Sequence, residues 1–264
     1  MSSQTTPPIQ VCDRMVPVAD HNLFTRTWRP AAADSAAPTL LLFHDSLGCV
    51  ELWRDFPERL AAGTGLPVLA YDRLGFGRSD APPGRLTPDF VAAEGRETVP
   101  ALLDALCIGP FLALGHSVGG GMAVGTAAAL PGRCRAVITL AAQAFVEDRT
   151  LDGIRVAQAQ FRDPAQVARL ARYHGDKAAW VLSAWIDSWL DPAFAGWTLD
   201  ESLSGVTCPL LALHGDGDEY GSTAHPDRIA TPGRGRAVVL TGCGHVPHRE
   251  HPDRVLAEIA SFLG

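Results

Sequence analysis

Ser117 lies in the stretch "FLALGHSVGGGMAVG", residues 111–125, surrounded by Gly115, Gly119, Gly120 and Gly121. The chemistry such a residue can do is nucleophilic, provided that a base takes its proton and an acid orients the base. The apolar run before it and the small apolar residues after it read as strand, tight turn and helix. Gly115-His116-Ser117-Val118-Gly119 fits G-x-S-x-G, a turn sharp enough to lift a serine hydroxyl above a sheet. Side chains two before and two after the serine would collide with neighbouring backbone, hence the two glycines. Gly120 and Gly121 are expected to let the first helical turn pack closely on adjacent strands. The helix start also offers unsatisfied N–H groups and a partial positive charge where an oxyanion would form. The blander reading is a glycine-rich turn whose serine only caps the helix.

A base and an acid must therefore lie further along the chain, in the order serine, acid, histidine. "PLLALHGDGDEYGS" carries Asp216, Asp218 and Glu219 just past an apolar run, and "VVLTGCGHVPHREHP" carries His245, His248 and His251 just past another. The residues alone leave these three acids and three histidines open.

The elements that must position them follow from hydrophobic patterning. Apolar runs at 39–43, 67–72, 111–115, 136–142, 209–215 and 237–242 are nearly continuous, as strands buried on both faces of a parallel sheet require. Helix-like stretches at 51–63, 88–107, 118–130, 222–230 and 251–263 alternate with them, which argues for an α/β fold with helices on both faces. Residues 9–17 and 22–29 read as an antiparallel hairpin entering the sheet. Between about Val146 and Ser204 the rhythm breaks. No buried strand occurs there and helical stretches follow one another, carrying Trp180, Trp185, Trp189 and Trp197. This reads as a helical cap, 146–204, inserted after the sixth strand of a core made of 1–145 and 205–264. Its tryptophans suit either a pocket lining or a helix face packed on the core.

Bulk composition narrows the functional classes. With 264 residues, 47% hydrophobic and 19% charged, the chain is globular in type and long enough to bury a full core. A net charge of −7 without any Lys/Arg cluster argues against a nucleic-acid or anionic-membrane partner. The six cysteines are scattered without a CxxC pair, which fits buried free thiols better than a metal site or a disulfide framework. No apolar stretch reaches the roughly 18 residues of a membrane span, and "MSSQTTPPIQVCDRM" lacks a signal-peptide pattern. A soluble cytoplasmic protein, monomer or homodimer, is expected.

Taken in order, "FHDSLG", "YDRLGFGRSD", "GHSVGG", "HGDGD" and "GCGHVPHREHP" resemble the α/β-hydrolase superfamily, in its capped esterase-like branch, from about residue 16 onward. The resemblance implies a mostly parallel eight-stranded sheet with helices on both faces and a helical cap. It implies that Asp218 is chosen over Asp216 by the H-G-x-x-D pattern and that His245 is the base, with His248 and His251 on an exposed loop and the final helix. The oxyanion donors would be the N–H groups of Val118 and Ser46. The family's H-G-x-x-G here reads His44-Asp45-Ser46-Leu47-Gly48, so Asp45 stands where glycine is usual. A carboxylate so placed opposes catalysis unless it points away or is paired, and bonding to nearby loop N–H groups is the expected role; a direct part in proton transfer is the sharper alternative. Asp45, Leu47, His44, Trp185 and Trp189 are candidates for the substrate pocket, and Phe76 is placed near it. His116 is expected to be structural, and Asp72, Arg73 and Ser79 to fix the loop after the fourth strand. The implied reaction is hydrolysis of a small-molecule ester or acyl substrate through an acyl-enzyme, with neither cofactor nor metal. Carbon–carbon hydrolases of ring-cleavage products, enol-lactonases and thioesterases share the triad, and a non-catalytic binding protein on the same fold is the alternative from another class.

Overall fold

The computed structural model describes residues 8–82, 84–230 and 235–264, so the first seven residues of the N-terminal stretch read for a signal peptide lie outside it. Eight strands form one sheet in the order β1-β2-β4-β3-β5-β6-β7-β8. They are β1 (Ile9–Val18), β2 (His21–Pro30), β3 (Thr39–Phe43), β4 (Val68–Tyr71), β5 (Phe111–His116), β6 (Cys134–Leu140), β7 (Leu210–Gly215) and β8 (Gly235–Leu240). β1 and β2 form the antiparallel hairpin, β2 joins β4 antiparallel, and every later pairing is parallel.

The continuous apolar runs are buried on both faces because alternate side chains enter different cores. Leu41, Phe43, Leu69 and Tyr71 join one cluster, while Leu40, Leu42, Val68 and Ala70 join the other. Helices α1 (Phe56–Thr64), α2 (Phe90–Ala93), α3 (Val99–Ala105) and α4 (Val118–Ala129) connect the strands up to β6. Between β6 and β7 come α5 (Asp148–Gln160), α6 (Pro164–His174), α7 (Ala178–Trp189) and α8 (Asp200–Gly205); α9 (Ala224–Ile229), α10 (Pro247–Glu250) and α11 (Pro252–Leu263) follow. Among the described residues no helix is long and apolar enough to cross a membrane.

Two expected helices are interrupted. In the 51–63 stretch a 3-10 turn over Val50–Trp53 ends at Arg54, whose φ of 55° no helix can continue, before α1 begins. The 88–107 stretch holds a π-helical turn, Glu94–Thr98, between α2 and α3. Here Gly95 is pressed against the α4 backbone, where a Cβ would lie 2.5 Å from Thr126 N. The cysteines are free, but Cys12 and Cys107 are exposed rather than buried.

Candidate active site

β5 runs straight into α4 through Ser117, whose φ of 55° and ψ of −128° make it the sharp point of the turn. Backbone strain of this kind persists only where the surroundings over-determine it, and here they do. A Cβ on Gly115 would lie 2.0 Å from Gly119 O, and one on Gly119 would lie 2.2 Å from Phe43 O. Gly121 meets Val91 and Leu199 rather than a strand, so it serves helix packing and not the sheet.

Three loops at the carboxyl ends of β5, β7 and β8 converge on the hydroxyl. Ser117 Oγ lies 3.0 Å from His245 Nε2, and His245 Nδ1 lies 2.9 Å from both oxygens of Asp218. With Nδ1–H donating to a carboxylate, Nε2 is the free acceptor for the serine proton. Burial works against the imidazolium, but the hydrogen bond and charge of Asp218 prevail and raise the His245 pKa above its ordinary value. Burial likewise opposes the Asp218 anion, yet the hydrogen bond and charge of His245, the charge of His214 and the N–H of Tyr220 lower its pKa. Asp216 is exposed and accepts from Gly242 N, bracing the β8 turn instead, and Glu219 is exposed.

The loop after β3 faces the same point. His44 Nδ1 donates to Asp45 O at 2.8 Å, so its Nε2 accepts from Arg73 N at 3.1 Å. Burial and the Arg73 charge keep this imidazole neutral, with its pKa well below the ordinary value. His44 is thus a buried brace and does not line the cavity, contrary to expectation. Asp45 Oδ1 accepts from Leu47 N at 2.8 Å, and Oδ2 lies 3.1 Å from His116 Nδ1. Burial alone would raise the Asp45 carboxyl, but the hydrogen bond and charge of His116 hold it well below the usual carboxylate range. Leu47 N is therefore occupied, whereas neither Ser46 N nor Val118 N has a hydrogen-bond partner among the described residues.

A cavity of about 230 Å³ opens on Ser117. Asp45, Leu47, Trp185 and Trp189 line it, as the sequence suggested, together with Ser46 and with Thr150 and Ile154 from α5. Trp180 and Trp197 pack elsewhere, against Phe76 and against Trp189 and Phe194. Phe76 is buried among His44, His174 and Trp180 and does not reach the cavity. Asp72, Arg73 and Ser79 do fix the loop after β4: Ser79 Oγ donates to Asp72 O, and the Asp72 carboxylate accepts from Val50 N and Arg78 N.

Several site neighbours are placed by the fold alone, His248 among them although its stretch was singled out. Gln143 Oε1 lies 3.4 Å from Ser117 Oγ, just past β6. The Tyr220 ring packs 4.8 Å from the His245 ring. His174, at the end of α6, accepts from Gly77 N and donates to Leu47 O, pinning the helical segment to the loop after β3. His248 is not on an exposed loop but buried against Trp53, Phe56 and His116. Each is an isolated polar or aromatic residue outside any spacing pattern, and only the fold brings it near.

The alpha/beta hydrolase family model matches residues 40–258. The chain is 29% identical over 204 residues to a monoacylglycerol lipase of Mycolicibacterium smegmatis, covering 63% of this chain and 67% of that one. It is 29% identical over 231 residues to a non-heme chloroperoxidase of Streptomyces lividans, covering 75% and 82%. A 2-hydroxy-6-oxo-6-phenylhexa-2,4-dienoate hydrolase from Rhodococcus sp. strain RHA1 shares the fold with a TM-score of 0.80 at 16% identity, covering 97% and 99%. The chain belongs to the α/β-hydrolase family and is a hydrolase of that family.

Proposed function

We propose that this α/β hydrolase cleaves a carboxylic ester of a small or medium acyl group through an acyl-enzyme on Ser117. The observation that carries the reading is the unbroken path from Ser117 Oγ to His245 Nε2 at 3.0 Å and from His245 Nδ1 to Asp218 at 2.9 Å. Ser117 attacks the carbonyl carbon as its proton passes to His245, and Asp218 stabilises the imidazolium. The tetrahedral oxyanion rests on Ser46 N–H and Val118 N–H. His245 returns the proton to the leaving alcohol, and a water repeats the cycle to release the acid. Every step uses groups of this chain.

The cavity supports the size class. Its 230 Å³ is below the ~300–1,000 Å³ of common small-molecule sites, and its walls are Leu47, Ile154, Trp185 and Trp189. Residues 146–204 act as a cap in this reading: α5 and α7 supply three of these four walls, while His174 anchors the segment from α6.

A panel of p-nitrophenyl esters of increasing acyl length, beside an acyl-CoA and a ring-cleavage dienoate, tests the proposal together with a fluorophosphonate label. Turnover is expected to peak at short acyl chains, with the label on Ser117. Preference for the thioester or dienoate over every ester, or absence of labelling, would overturn it.

A further inference from the structure

Asp45 and His116 are the polar pair beside the cavity that the acyl-transfer steps do not use. His116 Nε2 lies 2.7 Å from His245 O and Nδ1 lies 3.1 Å from Asp45 Oδ2. A carbonyl oxygen only accepts, and an ionised carboxylate only accepts, so both ring nitrogens must donate. The neighbouring groups leave the charge to this ring. His44 is fixed neutral by its two bonds, and His245 accepts from Ser117. Burial drives the His248 pKa far below its ordinary value. The other cations facing Asp45 are Arg73, which is committed to Asp45 O, and Arg249, which donates to Leu52 O. Tyr220, pushed up to about 12 by burial, stays neutral beside them.

We infer that Asp45 and His116 are positioning residues: a charged carboxylate–imidazolium strap that ties the oxyanion-donor loop to the backbone of the base, His245. The inference rests on the acyl-transfer reading of Ser117. Its mechanical basis is one peptide unit. The Asp45 carbonyl is gripped by His44 Nδ1 at 2.8 Å, Arg73 Nη2 at 2.9 Å and Gly48 N at 3.2 Å. In a trans peptide the N–H of the next residue points the opposite way, and that N–H is the Ser46 donor. The Asp45 side chain holds the next turn through Leu47 N and then, through His116, fixes the main chain from which the His245 ring projects. Donor and base are thereby held at a constant separation across three loops that share no sequence.

The strap and simple electrostatics predict opposite signs. A carboxylate near a developing oxyanion opposes it, so on charge alone Asp45→Ala would speed the reaction. On the strap it slows, because the interaction lost acts in the transition state rather than in substrate binding. Asp45→Ala is expected to lower kcat on a p-nitrophenyl ester by about 10- to 100-fold with KM within about threefold, less than the full loss of an oxyanion donor. Asp45→Asn can still accept from Leu47 N and donate to a neutral His116, so it should recover most of that loss. In the unaltered protein at pH 7, nitrogen-15 NMR of the His116 ring, assigned with His116→Asn, should show two protonated nitrogens. An unchanged or faster Asp45→Ala, a loss carried by KM, an Asp45→Asn as slow as Asp45→Ala, or a singly protonated ring would each overturn the strap. The ring measurement needs neither turnover nor a variant of Asp45. Full activity of Ser117→Ala would instead remove the acyl-transfer reading and leave the ring result standing.

Discussion

Asp218 with His245, and Asp45 with His116, each set a buried imidazole against a carboxylate beside one cavity, and the two pairs differ in what the far nitrogen meets. His245 Nε2 meets the Ser117 hydroxyl, which can donate, so that ring carries one proton and has room for another. His116 Nε2 meets the carbonyl of residue 245, which cannot donate, so that ring is already full. On the proposed reading the same two residue types make a base in one place and a tie in the other. Exposure follows the split: the His245 side chain keeps 12% of its surface and the His116 side chain 2%.

The comparison breaks most sharply at the nucleophile. Ser117→Ala removes the group that gives His245 its purpose and should lower kcat on an ester by about 10⁴- to 10⁶-fold, measured against wild type at saturating substrate. Both pairs would remain folded, so thermal unfolding should move little. A variant retaining its full rate would make the two pairs equivalent after all.

Asp218→Asn comes next, with kcat expected to fall about 10⁴-fold as the ring loses its orienting charge. The acid limb of the wild-type rate profile sharpens the contrast further. His245 must be neutral to act as base, and its pKa is raised, so activity should climb with pH through a midpoint above the ordinary 6.5. In Asp218→Asn the largest raising influence is gone while burial and the weaker charges of Glu219 and Asp45 remain, so the midpoint should fall from its wild-type position. A midpoint that does not move would deny Asp218 its control of the base.

The smallest expected effect lies away from both pairs. Trp185, partly buried with its ring 5.8 Å from that of Tyr220, walls the cavity without touching either imidazole. Trp185→Ala should shift kcat/KM toward longer acyl chains by about three- to tenfold, a change of the size pocket contacts supply. The pH midpoint should stay where it is, and a moved midpoint would mean that the wall and the base are coupled.

Patterning carried the sheet because its strands are buried on both faces and bounded by turn residues. β3 falls on the expected residues, and β4 to β8 fall within two of them. The positive φ of Arg54 and the π-turn at Glu94–Thr98 had no such signature; the latter answers to the α4 backbone against Gly95 rather than to local preference. In the site, Ser117 could be read because a fixed turn demands fixed neighbours, and Asp218 and His245 through the resemblance of their stretches to the family's. The places of His174, Gln143 and His248 could not, because each meets partners tens of residues away.

By itself the sequence determined which side chains stand at the ends of which strands, since that depends only on local periodicity and turn chemistry. The tertiary structure alone decided which nitrogen of each histidine faces a hydroxyl, a carboxylate or a carbonyl. A proton's place is set by partners a few ångströms away in space, and no spacing along the chain encodes that distance.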